Sequence, residues 1–200
     1  MADRPVAERV LDAAATLTTG DGWGAVTMAK VAGLAGVSRQ TVYNEYGAKP
    51  SLGQAMVLRE LDRFLAVVAR ELESHDDLVE AIRAAARATL TVARDNPLLN
   101  RVLASAHQVG AAGGPGAPGA DNELLPFLTT DAGPLVEAAK EVITARLTRF
   151  PDLAMSPAEL DAAIDAVVRL VLSHVMQPAG TPERTADDLA WIVARVLRTA

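Results

Sequence analysis

Apolar residues recur along almost the whole chain at intervals of three and four, and strand-like alternation is nearly absent. A first helix is predicted from near Pro5, carrying Val10, Leu11, Ala14 and Leu17 on one side and stopping at Gly20-Asp21-Gly22. Thr27 and Ser38 carry hydroxyls placed to cap two short helices, roughly 27–34 and 38–45, the second ended by Gly47. A long amphipathic helix then runs from about Pro50 to Leu72, with Leu52, Met56, Leu61, Phe64, Leu65 and Val68 on one broad face. Another covers roughly 78–94 and is stopped by Asn96-Pro97, followed by a helix over LLNRVLASAHQ. Residues 110–119, GAAGGPGAPG, favour no regular element and are expected to form a flexible loop. Helices resume at roughly 134–149, 157–176 and 182–198. The expected fold is all-α with about nine helices and no internal repeat. Its expected domains are a three-helix domain over 1–48 and a helical bundle over 49–200.

One stretch departs from this weave of alanine, leucine and valine. In AGVSRQTVYNEYGAK, Ala35 to Lys49, two glycines, two tyrosines and an Arg-Gln-Thr run fall within one short segment. Short helix, tight turn, short capped helix is the pattern of a helix-turn-helix. Ala32 is small where two helices would cross closely, and Gly36 can take a positive φ in the turn without a Cβ penalty. Val42 would return from the second helix onto the first, with Val31, Leu34 and Val37 completing a small core. Arg39, Gln40, Thr41 and Asn44 then occupy the exposed face. Their chemistry suits base edges: Arg pairs with guanine O6 and N7, and Gln or Asn with adenine N6 and N7.

Charge neither supplies nor forbids that function. The net charge is −6, which excludes a generally basic nucleic-acid coat. Residues 1–52 nevertheless hold five basic and five acidic side chains, so the whole deficit lies in the remainder. There is no cysteine, which removes disulfides and thiolate metal sites and points to a reducing, cytoplasmic compartment. No signal segment precedes the first helix. The most apolar run, AAIDAVVRLVLSHVMQP, is interrupted by Asp165, Arg169 and His174 and is too short and polar to span a bilayer, so no membrane association is expected.

The N-terminal segment resembles the TetR-type one-component transcriptional repressors. Their signature has a glycine and an aromatic after helix one, a threonine opening helix two, and an Ile/Val-Ala pair. It continues with Ala-Gly-Val-Ser at the turn, a tyrosine in the recognition helix, an aromatic three residues on, and a lysine opening helix four. This chain supplies Gly22, Trp23, Thr27, Val31-Ala32, Ala35-Gly36-Val37-Ser38, Tyr43, Tyr46, Lys49 and Leu52 at matching spacing, over roughly residues 5–60. It departs at Glu45, where a histidine is usual and where a negative charge now sits near the DNA face, and at Pro50, where an acidic residue is common. The resemblance implies that Thr27, Ser38, Tyr43 and Lys49 contact phosphates of a double-stranded operator while Arg39, Gln40, Thr41 and Asn44 read its bases. It further implies a homodimer on a palindromic site, released by a small ligand. Tyr46 fits the core better than the DNA.

The rest of the chain matches that family only as a divergent helical ligand-binding and dimerisation domain, with a faint likeness to regulators of alkane and lipid degradation. Phe64, Leu90, Leu103, Phe127 and Val136 lie on apolar faces suited to a lipophilic ligand, with Arg101 or His107 as its polar anchor. Ile164, Val168, Val171, Leu172, Val175, Leu189, Ile192, Val193 and Val196 on the last two helices exceed what one bundle needs, and suggest an isologous dimer interface. Other chemistry finds no support. The glycine-rich segment follows a helix and lacks a terminal Gly-Lys-Ser/Thr, so it is no phosphate loop. His75, His107 and His174 lack metal-ligand spacing. No nucleophile elbow is present, so neither cofactor nor catalytic residue is expected. Asp165 and Arg169 should pair along one helix, and Trp191 belongs to a core or an interface. A helical enzyme or a protein–protein adaptor would share the apolar body but would have no need of the Arg39-to-Lys49 constellation.

Overall fold

The computed structural model describes residues 4–111, residue 124, and residues 133–150 and 155–198, without the side chains of 105–111 and 197–198. These residues form nine α-helices and one 3-10 turn, Trp23–Ala25, with no strand among them. The helices are α1 Val6–Asp21, α2 Met28–Ala35, α3 Arg39–Tyr46, α4 Lys49–Glu73, α5 Leu78–Asp95, α6 Pro97–Ala111, α7 Gly133–Leu147, α8 Pro157–Met176 and α9 Pro182–Arg198. Most of the glycine-rich stretch at 110–119, and Phe127 with it, lie outside the described residues.

Packing divides the chain into two compact units. One comprises Met1–Glu60 with Asn96–Ala132, the other Leu61–Asp95 with Gly133–Ala200. The first therefore extends well past residue 48. Leu52 and Met56 from the start of α4, and Leu98 and Val102 from α6, join Val10, Trp23, Val26, Val31 and Val42 in a single buried cluster that Leu124 completes. Gly53 is required there: a Cβ would fall 2.8 Å from the Trp23 ring and 2.7 Å from Leu124.

Polar contacts finish this unit where apolar packing stops. The Arg9 guanidinium donates to the carbonyl oxygens of Ala35, at 2.6 and 3.1 Å, and of Gly36, at 3.0 Å, covering the open C-terminus of α2. Asp12 receives Arg4 at 2.5 Å and Arg59 of α4 at 2.8 Å. Burial pushes the Asp12 carboxyl up, but the hydrogen bond from Arg4 and the positive charges of Arg59 and Arg4 outweigh it and hold the group below its ordinary value.

The second unit is built on small residues. Ala81, Ala84, Ala85, Ala86 and Ala93 line the buried side of α5, and Ala186 and Ala190 that of α9, its main neighbour. Its apolar residues fall into three clusters, around Ile164 and Val168, around Leu72 and Ala81, and around Ala86 and Leu189, the first two sharing half-buried Ile143 and Phe150. α8 opens with a reciprocal cap: Ser156 Oγ accepts from the Glu159 amide while the Glu159 carboxylate accepts from the Ser156 amide. The pair foreseen along this helix forms, with Arg169 Nε donating to Asp165 at 2.7 Å.

Candidate nucleic-acid interface

The helix-turn-helix is built from α2 and α3. Thr27 caps α2 by accepting the Lys30 amide at 3.2 Å, and Met28, Val31, Ala32 and Ala35 form its buried stripe. The chain then turns through Gly36 at φ 66°, ψ 39°, whose amide and that of Val37 bond back to the last turn of α2. This is the left-handed C-terminal stop that glycine alone adopts without strain. Ser38 caps α3 by accepting the Thr41 amide at 3.0 Å. Val42 is wholly buried, and Val37 packs against the same core. Leu34 does not join it; it is 54% exposed, because the four stripe residues already cover the buried face of so short a helix.

The exposed side of α3 is organised by contacts one turn apart. Arg39 Nη2 donates to Tyr43 Oη at 3.2 Å, and its guanidinium carbon lies 5.3 Å from the centre of the Tyr43 ring. Gln40 Nε2 donates to Asn44 Oδ1 at 2.8 Å. Ser38 and Thr41 share a hydroxyl–hydroxyl bond of 2.8 Å, which ties half-buried Thr41 to the cap. Glu45 is exposed at the end of the same helix. Tyr46 faces inward as expected, donating its hydroxyl to the Ala7 carbonyl at 3.0 Å. Burial, with the neighbouring Glu45 carboxylate, raises its phenol above the ordinary value, so it remains a donor.

Lys49, at the start of α4, is half-buried. Its ammonium lies 5.0 Å from the centre of the Trp23 ring and 3.5 Å from the Gly24 carbonyl oxygen, which fixes a positive charge beside the helix-turn-helix. Thr27 and Ser38 are exposed despite their capping bonds. The eight residues foreseen for DNA thus fall at the caps of α2 and α3, within α3, and at the first residue of α4. Sequence reasoning missed Arg9, which holds the turn from 26 residues away. A lone arginine in a first helix gives no local sign of such a contact.

The residues foreseen for a ligand are distributed less simply. Leu90 and Val136 are buried and Phe64 half-buried in the second unit. Leu103 is buried and Arg101 exposed in the first unit. Phe127 and the His107 side chain lie outside the described residues. Beside Leu90, the Thr89 hydroxyl is buried with no hydrogen-bond partner, a feature no sequence pattern could reveal.

The interface set divides. Ile164, Val168, Leu189 and Val193 are buried within the second unit. Val171, Leu172 and Val175 are half-buried, while Ile192 and Val196 are exposed. Leu170 and Trp191, absent from that set, are exposed too, Trp191 by 61% with the Arg195 guanidinium over its ring. Among the described residues no group of side chains could hold a metal ion, and no helix is long and apolar enough to cross a membrane.

Known proteins share both halves of this arrangement. Residues 10–56 match the bacterial regulatory proteins of the tetR family, and residues 77–195 match the C-terminal domain of the bacterial tetracyclin repressor. The HTH-type transcriptional regulator AlkX of Mycobacterium tuberculosis is 32% identical over 190 residues, covering 93% of this chain and 82% of that protein. The crystal structure of the TetR family repressor AlkX from a Dietzia strain, implicated in biodegradation of n-alkanes, superposes with a TM-score of 0.73 at 26% identity, over 98% of this chain and 97% of that one. A TetR-family regulator from Mesorhizobium loti shares the fold at a TM-score of 0.62 and 15% identity, over 96% of each chain. With an exposed recognition helix on a glycine turn and a family match over more than half its length, this chain belongs to the TetR family of transcriptional regulators, a family of DNA-binding proteins and not of enzymes.

Proposed function

We propose that this protein is a repressor that binds a palindromic operator as a homodimer and is released by a small lipophilic molecule. One observation carries the DNA-binding part. Arg39, Gln40 and Asn44 stand exposed on a helix that Ser38 caps and Val42 anchors in the core, so the polar side chains are held on a fixed support. In this reading residues 1–48 contact DNA, and Thr27, Ser38 and Lys49 set its register through phosphates. Residues 49–200 serve dimerisation and ligand binding, and the protein works in the cytoplasm, where its operator lies.

A dimer is needed because one recognition helix specifies too few base pairs; two must act about 34–36 Å apart, or a multiple of that. Among the described side chains of α8 and α9, Leu170, Trp191, Ile192 and Val196 are the exposed large apolar residues available for the interface. For the ligand, the support is the apolar character of Phe64, Leu90 and Val136 in the second unit and the n-alkane connection stated for the Dietzia repressor. The buried Thr89 hydroxyl of the same unit would supply its polar contact.

The test is a mobility shift on DNA from the protein's own promoter across a salt series. Wild type should bind with a negative salt slope, and Lys49→Ala should weaken every sequence alike and reduce that slope by about one. Trp191→Glu with Ile192→Glu should give monomers that no longer shift DNA. Wild type that fails to bind at low salt would overturn the DNA-binding reading. A melting temperature unmoved by alkyl and acyl compounds, together with release by a polar compound, would overturn the lipophilic ligand alone.

A further inference from the structure

The two bonded pairs on α3 divide its exposed residues into two classes. We infer that Arg39 and Gln40 are the specificity-determining residues, reading a guanine and an adenine close together in each half-site, while Tyr43 and Asn44 are positioning residues that hold them in place. The inference rests on the DNA-binding reading above and assigns Tyr43 and Asn44 differently from it.

Donor and acceptor counts lead to this division. A guanidinium has five N–H donors, and the Tyr43 hydroxyl takes one from Arg39 Nη2. Those that remain suffice for the two-pronged contact with guanine O6 and N7. The Tyr43 ring lies under the same guanidinium, at 5.3 Å, so the side chain is restrained both by a bond to the ring's edge and by attraction to its face. A free arginine carries roughly 2 kcal/mol of rotamer entropy, and restraint in advance lowers what must be lost when the base is met.

Gln40 is placed by the same logic. One Nε2 hydrogen goes to Asn44 Oδ1, leaving the second hydrogen and Oε1 to match adenine N7 and N6. The bond occupies one of the two lone pairs of the Asn44 oxygen and holds that oxygen toward Gln40, the same atom that would accept from adenine N6 if Asn44 read the base itself. Thr41 is withdrawn from reading by its bond to the Ser38 cap. All four residues of the two pairs are exposed, so truncating them leaves the core of the helix-turn-helix untouched.

The experiment starts from an operator selected out of a random-sequence duplex pool by the full-length wild-type protein, with each half-site position then substituted in turn. Arg39→Ala should abolish preference at one guanine and Gln40→Ala at one adenine, a loss of about 5- to 150-fold in discrimination. Tyr43→Ala should weaken preference at the same guanine by about 3- to 10-fold and have no further effect in the Arg39→Ala background. Tyr43→Phe, which keeps the ring, should retain part of that preference. Asn44→Ala should act in the same way at the adenine read by Gln40. If Tyr43→Ala weakens every sequence by one factor, equally with and without Arg39, Tyr43 contacts phosphate and the inference fails. It also fails for Asn44 if Asn44→Ala keeps its full effect in the Gln40→Ala background. A pool that yields no enriched sequence would instead overturn the DNA-binding reading itself.

Discussion

The two packing units solve the problem of burying apolar surface in opposite ways. The first gathers Trp23, Leu52, Met56, Val10 and Val31 into one cluster in which a missing Cβ, that of Gly53, is part of the fit. The second spreads its contacts over three clusters, two of them rich in alanine, and its largest wholly buried side chains are leucine and valine. Large interlocking side chains fix positions, because few alternative packings fill the same volume. Alanine contacts bring helices close but tolerate small adjustments. A recognition helix must present base-reading groups at fixed places, whereas a body that senses a ligand and dimerises, as proposed for the second unit, has only to remain packed as its contents change.

This contrast can be broken or sharpened by substitution. The largest effect should come from Trp23→Ala, a loss of about 3–5 kcal/mol in urea unfolding, accompanied by loss of DNA binding. A loss below 1 kcal/mol would mean that the single cluster does not depend on its centre. Next, Leu52→Ala and Met56→Ala, neighbours in the first core, should depart from additivity by about 0.5–3 kcal/mol. Ile164→Val and Leu189→Ala, in separate clusters of the second, should add to within about 0.3–0.5 kcal/mol. Strong coupling of the second pair would show that the three clusters act as one.

The smallest effect concerns charge. The folded carboxyl of Asp12 lies below its ordinary value, so the stability it contributes is fully present above the unfolded value of about 3.9. That stability is lost as pH falls through the folded value. Asp12→Asn should therefore unfold earlier than wild type at pH 7, with the difference shrinking below about pH 4. A difference that stays constant down to pH 3 would remove the Arg4–Asp12–Arg59 contacts from the account.

The same contrast decides how much could be foreseen. Element bounds came within about two residues wherever a cap or a stop was local: Thr27, Ser38, Gly47 and Ser156 act on neighbours three or four residues away. The helix-turn-helix was legible because its glycine, caps and buried valine are all needed at fixed spacing. Leu34 was misplaced because two turns of helix give too little pattern to distinguish the buried stripe from its flank. The contacts of Arg9 with the α2 terminus and of Arg59 with Asp12 were invisible, since each joins residues far apart in sequence. Which members of the interface set are buried within their own unit was not legible for a related reason. An apolar side chain on α8 or α9 carries no sign of whether its neighbour belongs to the same chain or to another.

The core of the DNA-binding unit draws on two separated lengths of chain, and this has a consequence for how the protein is made. The ribosome releases Val10 through Met56 before Leu98, Val102 and Leu124 exist, so a nascent head waits for roughly 70 further residues, about 3–14 s at ordinary elongation rates. During that interval the Trp23 and Met56 side chains lack part of their cover and are open to chaperones or to other nascent chains. Stalled translation products ending near residue 75 should be cut readily by protease within the head, and those long enough to expose Leu124 outside the exit tunnel should resist. The helix-turn-helix is synthesised ahead of α6 and Leu124, but it is not ready to act until they have arrived.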